Sequence, residues 1–433
     1  MLLEKEEHGA TIERGGGWLF AAGTRWQQQA GIADSAEQFA ADVQAKNGGA
    51  ADPQVLLALT SVSAATAHWL ADEVGVPLEL ETQAGRPDDP QLTHRCLVDR
   101  ERRGGPGFLA ALRAACERHP GIDLRIGAGA EGLLVEPGGR PERPAGARVV
   151  GARTREGEVR AAAVVLCAGG FGASRERLAR WIPEAAAMEL VGGPGNTGEA
   201  IEWAAALGAG LRHMDAFQGH AQFVKGALLR LSPGIPAEGG IFVDAGGRRF
   251  AREDVNYSAF ALAIARHAGG EAVEIFDARI LRAVADQWPM RVAREHGLYT
   301  TAASVEELAA QHGLPGDVLA RTLAAYDQAC RSGADPLGRK VLREPLQPPY
   351  HAARIVPVLA HTQGGVTVDA QMRVLLDGPA PSPIPGLFAA GGTMAGLSGD
   401  GAAGYYSGNG LLAAVSGGWI AGAAAAAVTT AAV

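Results

Sequence analysis

The segment Gly386–Leu412 constrains the fold more than any other part of the chain, and it reads GLFAAGGTMAGLSGDGAAGYYSGNGLL. It opens with the apolar run Leu387–Ala390, whose length and flanking residues predict a buried strand. Two glycines end that run, and a glycine-rich loop leads through two tyrosines to an apolar helical pattern from Leu411. A strand that ends in glycines before a helix leaves backbone N–H groups and a positive dipole end facing the loop. The segment therefore predicts a site for an anion or an electron-rich ring, while an ordinary strand–loop–helix connection stays open.

The composition is that of a soluble globular protein with many conformationally open backbone positions. The chain has 433 residues, of which 47% are hydrophobic and 20% charged. Its 60 glycines are roughly double the usual frequency of about 7%. The formal net charge of −8 argues against a nucleic-acid partner. The length predicts two or more domains.

The four cysteines and the two chain ends limit the location of the protein. Cys96, Cys116, Cys167 and Cys330 have neither metal-site nor disulfide-framework spacing. They predict no metal site and a reducing, cytoplasmic compartment. The charged N-terminus does not resemble a signal peptide. The apolar tail Ile420–Val433 is predicted to be a docked or fraying helix rather than a membrane span.

The first residues, Met1–Lys5, predict the end of a strand that closes in an acid, Glu4. In a dinucleotide-binding unit, an acid at that point accepts the ribose hydroxyls. The first strand, the GxGxxG turn and the first helix of such a unit are expected upstream, and the sequence does not contain them. We therefore expect that the first βαβ unit is missing. A gene-start error and a true truncation both stay open, and a truncated, inactive protein that cannot hold its dinucleotide tightly is the non-enzyme alternative.

Other glycine-rich stretches add to this picture. Gly15–Gly17 predicts backbone pressed against a flat ligand, with a plain loop as the alternative. The apolar run Ala163–Cys167 predicts a second buried strand, and it ends in Gly169–Gly170 much as the later strand ends in Gly391–Gly392. Two such strands predict two edges of one cofactor site. Asn196–Glu199 predicts a helix start that also serves as a cofactor contact.

The sequence pattern changes near residue 218 and again near residue 361. We predict an α/β fold in which a Rossmann-like domain, residues 1–217 and 361–433, is interrupted by an inserted α+β domain at 218–360. Within the insert, Ile241–Phe250 predicts a hairpin. The charge-rich segment Leu92–Arg103 predicts a solvated loop, with the edge of a substrate cleft as the alternative.

Seven motifs occur in the same order as in the FAD-dependent fumarate reductase/succinate dehydrogenase flavoprotein superfamily, which nearly the whole chain resembles. They are LLEK, VVLCAGGFG, GNTGEA, MDAFQGH, GGRRFARED, HTQGGVTVD, and GLFAAGG followed by YYSGNGL. The superfamily includes ketosteroid Δ1-dehydrogenases and tricarballylate-type dehydrogenases. The resemblance implies FAD as cofactor, a Rossmann-like FAD-binding domain, and a capping domain at 218–360. It also implies hydride exchange between the flavin and a C–C bond next to a carbonyl.

The resemblance implies FAD contacts from several stretches. Glu4 would hold the adenosine ribose, and Ala168 and Gly169 would approach the adenine half. The helix N-terminus at Ser407–Leu411 would face the flavin pyrimidine, where reduction places negative charge. Gly392 departs from the family, which often has a cofactor-binding glutamate there. The full set implied is Glu4, Lys5, Gly9, Thr11, Gly16, Gly17, Ala168, Gly169, Thr197, Gly198, Glu199, Gly391, Gly392, Ser407, Gly408, Asn409 and Leu411.

On the substrate side, His220 and His361 match the two histidine motifs of the family. Tyr257 falls where fumarate reductases have their proton-donating arginine, and Tyr405 or Tyr406 falls where they have a second arginine. A phenol cannot clamp a carboxylate bidentately as arginine does. The resemblance therefore implies that fumarate is not the substrate and favours a ketone or enone.

Tyr406 and Gly410 have the spacing of the ketosteroid dehydrogenases, in which a phenol and a backbone N–H hold a ketone oxygen as it gains enolate charge. Tyr257 would transfer the proton. A packed role for the histidines and for the tyrosine pair stays open. A small carboxylic acid, as for tricarballylate-type relatives, is the alternative substrate. The expected partners are a small-molecule substrate and an unidentified electron donor or acceptor.

Overall fold

The computed structural model describes residues 1–7, 11–81, 94–101, 104–137 and 147–430. Gly9, which was assigned a cofactor contact, lies outside the described residues. The elements up to residue 212 are β1 (Leu2–Glu4), a 3-10 turn (Thr11–Arg14), β2 (Leu19–Phe20), α1 (Arg25–Gln29), α2 (Ala36–Asn47), α3 (Pro53–Ser61), α4 (Ser63–Trp69), a π-helical turn (Leu70–Val74), β3 (Leu78–Leu80), β4 (Cys96–Asp99), α5 (Gly104–Arg118), β5 (Leu124–Ile126), β6 (Ala130–Glu136), β7 (Arg148–Thr154), β8 (Gly157–Arg160), β9 (Val164–Leu166), α6 (Arg175–Trp181), a 3-10 turn (Pro183–Ala185), β10 (Glu189–Leu190), α7 (Glu199–Ala206) and β11 (Leu211–Arg212).

The remaining elements follow in chain order. They are β12 (Phe217–Val224), α8 (Gly234–Ala237), β13 (Ile241–Val243), α9 (Tyr257–His267), β14 (Ala272–Asp277), α10 (Ala278–Val284), α11 (Trp288–Glu295), β15 (Thr300–Ala302), α12 (Val305–His312), α13 (Gly316–Ser332), β16 (Tyr350–Thr362), β17 (Gly365–Val366), β18 (Arg373–Leu375), β19 (Pro383–Ala389), a 3-10 turn (Gly391–Thr393) and α14 (Asn409–Thr430).

The two glycine-ended strands, β9 and β19, are parallel neighbours in one three-stranded sheet. Leu387 lies opposite Val164, and Ala389 lies opposite Leu166. The glycines that follow the two strands also meet, since a Cβ atom added to Gly392 would lie 3.1 Å from the backbone nitrogen of Gly170. The two strand ends therefore lie next to each other, and their role as two edges of one cofactor site stays a prediction.

β1 lies in a separate parallel pair with β5, in which Glu4 is opposite Ile126. Among the residues that the structure describes, β1 has β5 as its one strand partner and β9 has β19 as its one strand partner. Both strands nevertheless end at the same loop, residues 193–199. A Cβ on Gly195 would lie 2.7 Å from Cγ of Glu6, and a Cβ on Gly169 would lie 2.2 Å from Oδ1 of Asn196. The carboxyl ends of the two parallel strands therefore converge.

A six-stranded sheet organises residues 217–362. The long strand β16 pairs with β10, β12, β14 and β15, and β13 pairs with β14 at an edge. A separate hydrophobic core lies beneath it and includes Ile275, Phe276 and Tyr326. The hairpin predicted at Ile241–Phe250 is wrong, because β13 pairs with β14, where Ile241 lies opposite Ile275. The domain limits of 217/218 and 360/361 stay a prediction.

The expectation of a solvated loop at Leu92–Arg103 is wrong for the described residues 94–101. Cys96–Asp99 forms the buried strand β4, which lies between β2 and β3. The side chain of Arg95 is 0% exposed. Burial is tolerated because Arg95 is neutralised by acids from another part of the chain, Asp34 and Asp42.

Helix starts follow local sequence signals. Ser35 caps α2 by accepting from the backbone of Gln38, and Asp52 caps α3 with Pro53 in the first turn. The described helical stretches 53–74 and 409–428 are long and apolar enough to cross a membrane, and 44% and 28% of their most apolar windows are buried. Buried core helices meet the same criterion. The predicted absence of a membrane span therefore stays a prediction.

Candidate active site

Four elements bring most of the predicted catalytic side chains to one place. His220 lies on β12, Tyr257 is the first residue of α9, His361 lies near the end of β16, and Tyr405 lies in the loop before α14. β12 and β16 are antiparallel, with Gln218 opposite His361. This pairing holds the two histidine-bearing strands side by side.

Tyr257 lies at the centre of the cluster. Its ring centroid is 4.7 Å from that of His220 and 5.7 Å from that of Tyr405. Its hydroxyl oxygen accepts a hydrogen bond from Nε2 of Gln218 at 3.1 Å and lies 3.4 Å from Oγ of Ser407. The phenol oxygen is therefore surrounded by polar groups, while the ring packs on aromatic neighbours.

The preceding residue, Asn256, fixes the position of Tyr257. Its Oδ1 accepts from the backbone nitrogen of Ser258 at 2.7 Å and so caps α9. Its Nδ2 donates to the carbonyl oxygen of Tyr405 at 2.6 Å. One buried asparagine thus starts the helix and ties it to the loop that contains Tyr405.

His361 lies between this cluster and the start of α14. Its ring centroid is 6.2 Å from that of Tyr405, and a Cβ on Gly410 would lie 3.4 Å from its Nε2. Burial lowers the pKa of His361, so the ring is neutral near pH 7. Its Nδ1 lies 3.2 Å from the carbonyl oxygen of Thr362. Because a carbonyl only accepts, Nδ1 has the hydrogen and Nε2 has the lone pair.

His220 contacts a guanidinium that the sequence argument missed. Nη1 of Arg230 lies 3.0 Å from its Nε2, and the backbone nitrogen of Gln222 lies 3.3 Å from its Nδ1. Both neighbours are donors, and a neutral imidazole has a single lone pair, so it can accept from only one of them at a time. The missed signal is the turn at Gly226, where φ is +79°, which folds the chain back along β12.

The adjacent tyrosine, Tyr406, lies in different surroundings. Its ring packs on Phe20 and Phe39, with centroids 6.3 and 5.9 Å away. Its hydroxyl oxygen lies 3.5 Å from Nη1 of the buried Arg95. The structure therefore brings Tyr405, rather than Tyr406, against Tyr257 and His361.

Several residues assigned to FAD meet at the 193–199 loop. Nζ of Lys5 donates to Oγ1 of Thr197 at 2.6 Å and pairs with Glu199 at 3.1 Å. Oγ1 of Thr11 accepts from Nδ2 of Asn196 at 2.6 Å and from the backbone nitrogen of Gly193 at 3.0 Å. The end of β1 and the start of α7 are thereby joined through polar side chains.

The glycines at 16 and 17 pack closely against protein. Gly17 has φ +65°, and a Cβ there would lie 2.7 Å from the carbonyl carbon of Gly104. An added Cβ on Gly16 would contact the indole of Trp18 at 3.2 Å. The close approach observed at Gly17 is therefore to the start of α5, and the predicted contact of these glycines with a flat ligand stays a prediction.

The start of α14 is held by two side chains, that of Ser398 from the preceding loop and that of Gln363, which directly follows β16. Nδ2 of Asn409 donates to Oε1 of Gln363 at 3.2 Å and also bonds Oγ of Ser398. Gly408 has φ +80°, and a Cβ there would overlap the ring of Phe20 at 1.7 Å. Leu411 packs partly buried in the core of the first part of the chain. The helix N-terminus is thus fixed next to His361.

These positions can be tested against the requirements of FAD. A dinucleotide needs an acid for its ribose, small residues where parallel strands end, and a helix N-terminus near its flavin. Glu4 ends β1, the exposed Ala168 follows β9, and α14 starts beside His361. The residues present fit FAD at each of these points. The fold and the site define an α/β protein that binds a nucleotide cofactor.

The chain belongs to a family described as FAD binding domain, whose model matches residues 1–411. It is a member of the FAD-dependent fumarate reductase/succinate dehydrogenase flavoprotein superfamily, as the seven motifs predicted. The prediction of FAD as the cofactor is confirmed at the level of the family.

The proteins similar to this chain include fumarate reductases and a ketosteroid dehydrogenase. The chain is 30% identical over 396 residues to an NADH:fumarate oxidoreductase of Klebsiella pneumoniae (strain 342), which covers 90% of this chain and 41% of that protein. The open conformation of a flavocytochrome c3 fumarate reductase matches with TM-score 0.78 and 27% identity, over 99% of this chain and 74% of that one. A 3-ketosteroid-Δ4-(5α)-dehydrogenase from Rhodococcus jostii RHA1, in complex with 4-androstene-3,17-dione, matches with TM-score 0.71 and 26% identity over 98% and 91% of the two chains. The chain thus spans less than half the length of the Klebsiella relative.

Proposed function

We propose that the protein is an FAD-dependent oxidoreductase that introduces or reduces a C–C double bond next to a carbonyl, with a ketone or enone favoured over a dicarboxylate. The observation that supports it best is the cluster of Tyr257, Tyr405, His220 and His361 next to the start of α14. Bound FAD would supply or accept the hydride.

Side chains of the cluster carry out the proton transfer and bind the carbonyl oxygen. Tyr257 transfers the proton at the carbon that does not exchange hydride. Its oxygen accepts a hydrogen bond from Gln218 and lies near Ser407, and these contacts fix the position of the hydroxyl group. Tyr405 donates to the carbonyl oxygen as that oxygen gains enolate charge, together with the backbone N–H of Gly410. His361 lies beside both groups and is neutral, which suits an oxygen-binding pocket without a permanent charge.

Substitution of the tyrosine pair tests which phenol serves as the oxyanion donor. Tyr405→Phe is expected to lower kcat/KM by about 10²–10³-fold, the loss typical for one oxyanion-hole donor. Tyr406→Phe, the position favoured by motif spacing, is the matched control, and a smaller loss is expected because its hydroxyl lies by Arg95. Steady-state kinetics on FAD-loaded protein make the comparison. A larger loss in Tyr406→Phe than in Tyr405→Phe would return the role to Tyr406.

A substrate panel tests the proposed activity itself. FAD-loaded protein is assayed with fumarate, 2-cyclohexen-1-one and 4-androstene-3,17-dione, using reduced viologen for reduction and a dye acceptor for oxidation. Fumarate is expected to give only background turnover, because Tyr257 and Tyr405 cannot clamp two carboxylates as arginines do. At least one ketone is expected to turn over. Turnover with fumarate and with neither ketone would contradict the proposal.

A small carboxylic acid is the second candidate substrate, and Arg230 supports it. Its guanidinium contacts His220, which in turn packs on Tyr257. A single arginine can pair with one carboxylate while the phenols bind elsewhere on the substrate. Acrylate, added to the same panel, distinguishes the two candidates. Turnover of acrylate that is lost in Arg230→Met would favour the acid.

We further propose that residues 218–360 cap the cofactor and that the edges of β1 and β9 accept one more parallel strand of a dinucleotide-binding unit. The contact of Tyr257 with Tyr405 supports the first statement, since it joins α9 to the loop before α14. The convergence of β1 and β9 on one loop supports the second. Slow amide exchange at Leu3 and Val165 would indicate that these edges are paired in solution.

A further inference from the structure

A cavity lies between α6 and α7, and it shares no lining residue with the cluster of tyrosines and histidines. Its volume is about 110 Å³. The outer part is polar, with the exposed residues Arg180 and Glu202. The floor is formed by apolar residues that are buried or half-buried, namely Phe171, Ile201, Ala205, Leu211 and Met214. A ligand in this cavity would therefore meet charge at one end and an apolar surface at the other.

The size of the cavity limits the apolar part of such a ligand. An apolar cavity of about 150 Å³ binds benzene. In proportion, the 110 Å³ found between α6 and α7 has room for about four carbon atoms. The floor thus fits a short aliphatic chain.

The two arginines of the cavity differ in how their charge is compensated. Nε and Nη2 of Arg177 donate to the two carboxylate oxygens of Glu202, and this hydrogen bonding raises the pKa of Arg177. Arg180 forms no ion pair with an acid among the described residues. Its guanidinium lies over the ring of Trp181, 4.7 Å from the ring centroid. Arg180 is therefore the cation that is available to a ligand.

We propose that this cavity binds a short-chain monocarboxylate, with its carboxylate on Arg180 and its chain on the apolar floor. A planar guanidinium binds a carboxylate through two parallel hydrogen bonds. The surroundings favour a single negative charge, because Glu199 and Glu176 are close enough to raise the pKa of Arg177 by their own charge. A dianion such as phosphate would be repelled by these acids. The site is independent of the proposed oxidoreductase activity.

The cavity is distinct from the contacts that join the 193–199 loop to β1, although Gly198 borders it. The residues on either side of this glycine, Thr197 and Glu199, bond Nζ of Lys5 at the end of β1. Gly198 instead faces Phe171, since an added Cβ would lie 2.7 Å from the Cβ atom of that residue. The floor of the cavity therefore consists of groups other than those assigned to the cofactor on this loop.

Isothermal titration calorimetry of the full chain with butyrate tests the site. A dissociation constant of about 1 mM is expected, which six non-hydrogen atoms can supply. Arg180→Met removes the charge and is expected to weaken binding at least about tenfold, the loss typical for a charge-assisted hydrogen bond. Arg175→Met is the matched control, because Arg175 is exposed on the same helix and does not line the cavity. It is expected to bind butyrate as the parent does.

Changes to the floor and to the ligand test the apolar half of the site. Ala205→Leu fills the floor with a residue that suits a helix, and it is expected to weaken butyrate binding about tenfold or more. Butan-1-ol lacks the anion and acetate lacks the chain, so both should bind more weakly than butyrate. Circular dichroism of each variant establishes that the fold is retained.

Arg230→Met distinguishes this cavity from the tyrosine cluster, where a small acid is the second candidate substrate. Unchanged affinity for butyrate in Arg230→Met, together with the loss in Arg180→Met, is expected. The reverse pattern would place butyrate in the cluster and overturn the inference. Absence of binding to the parent would also overturn it, as would parent-like binding in Ala205→Leu.

Discussion

Tyr257→Phe is expected to slow turnover of the FAD-loaded protein by about 10²–10⁴-fold, the range typical for loss of general acid–base assistance. The substitution keeps the ring, which lies 4.7 Å from His220 and 5.7 Å from Tyr405 between centroids. It removes the oxygen that accepts from Gln218 and lies near Ser407. A hydrogen bond of this kind contributes only about 0.5–1.5 kcal/mol to folding. The effect should therefore fall on the proton step, with FAD content unchanged.

Rapid-mixing measurement of flavin reoxidation by an enone substrate isolates that step. Tyr299→Phe is the matched control, because Tyr299 packs on Phe276 and His351 in the separate core of the six-stranded sheet. Parent-like reoxidation in Tyr257→Phe would move the proton transfer to His361. Its Nε2 has a lone pair, and burial lowers the pKa of its ring. Because a donor must hold the proton, reduction of the substrate would then become faster as the pH falls below the lowered pKa of His361, which lies under the ordinary histidine value of about 6.5.

The sequence predicted the strand ends well because their signals are local. The runs that became β9 and β19 are apolar and stop at double glycines, and they lie side by side in the structure. The hairpin at Ile241–Phe250 failed for the opposite reason. Its turn exists, with the backbone nitrogen of Gly247 donating to Asp244 at 2.9 Å. The partner of β13 is nevertheless β14, some thirty residues along the chain. Strand pairing is set by the whole sheet rather than by the nearest turn.

The candidate site also contains residues that the sequence predicted and residues that it missed. Motif spacing selected Tyr257, His220 and His361, and the structure brings these three to one cluster with Tyr405. The direction of neighbouring side chains did not follow from spacing, since Tyr405 and Tyr406 face different surroundings. The two arginines near the tyrosines were also missed. Arg230 reaches His220 through a turn, and Arg95 lies in a charge-rich stretch that was expected to be solvated.

Arg95 is the clearest case, because its charge is buried together with two acids from α2 and the loop before it. Nε and Nη2 donate to the two carboxylate oxygens of Asp34 at 2.6 and 2.7 Å, and Nη1 donates to Asp42 at 2.6 Å. The guanidinium also lies over the ring of Phe39, 4.9 Å from its centroid. A long-range ion pair of this kind leaves no local pattern in a sequence, since its members are more than fifty residues apart along the chain.

Arg95→Met is therefore expected to lower the free energy of unfolding by about 3–5 kcal/mol, the cost of leaving buried charges without their partner. Methionine fills much of the same volume, so the loss comes from the uncompensated carboxylates of Asp34 and Asp42. Adding Asp34→Asn and Asp42→Asn to Arg95→Met should recover most of the stability, because no unpaired charge remains. Arg125→Met, which breaks an exposed pair with Asp123, is the control and should cost under about 1 kcal/mol. Urea unfolding of all four proteins measures the difference, and a loss in Arg95→Met no larger than in the control would show that the buried cluster does not stabilise the fold.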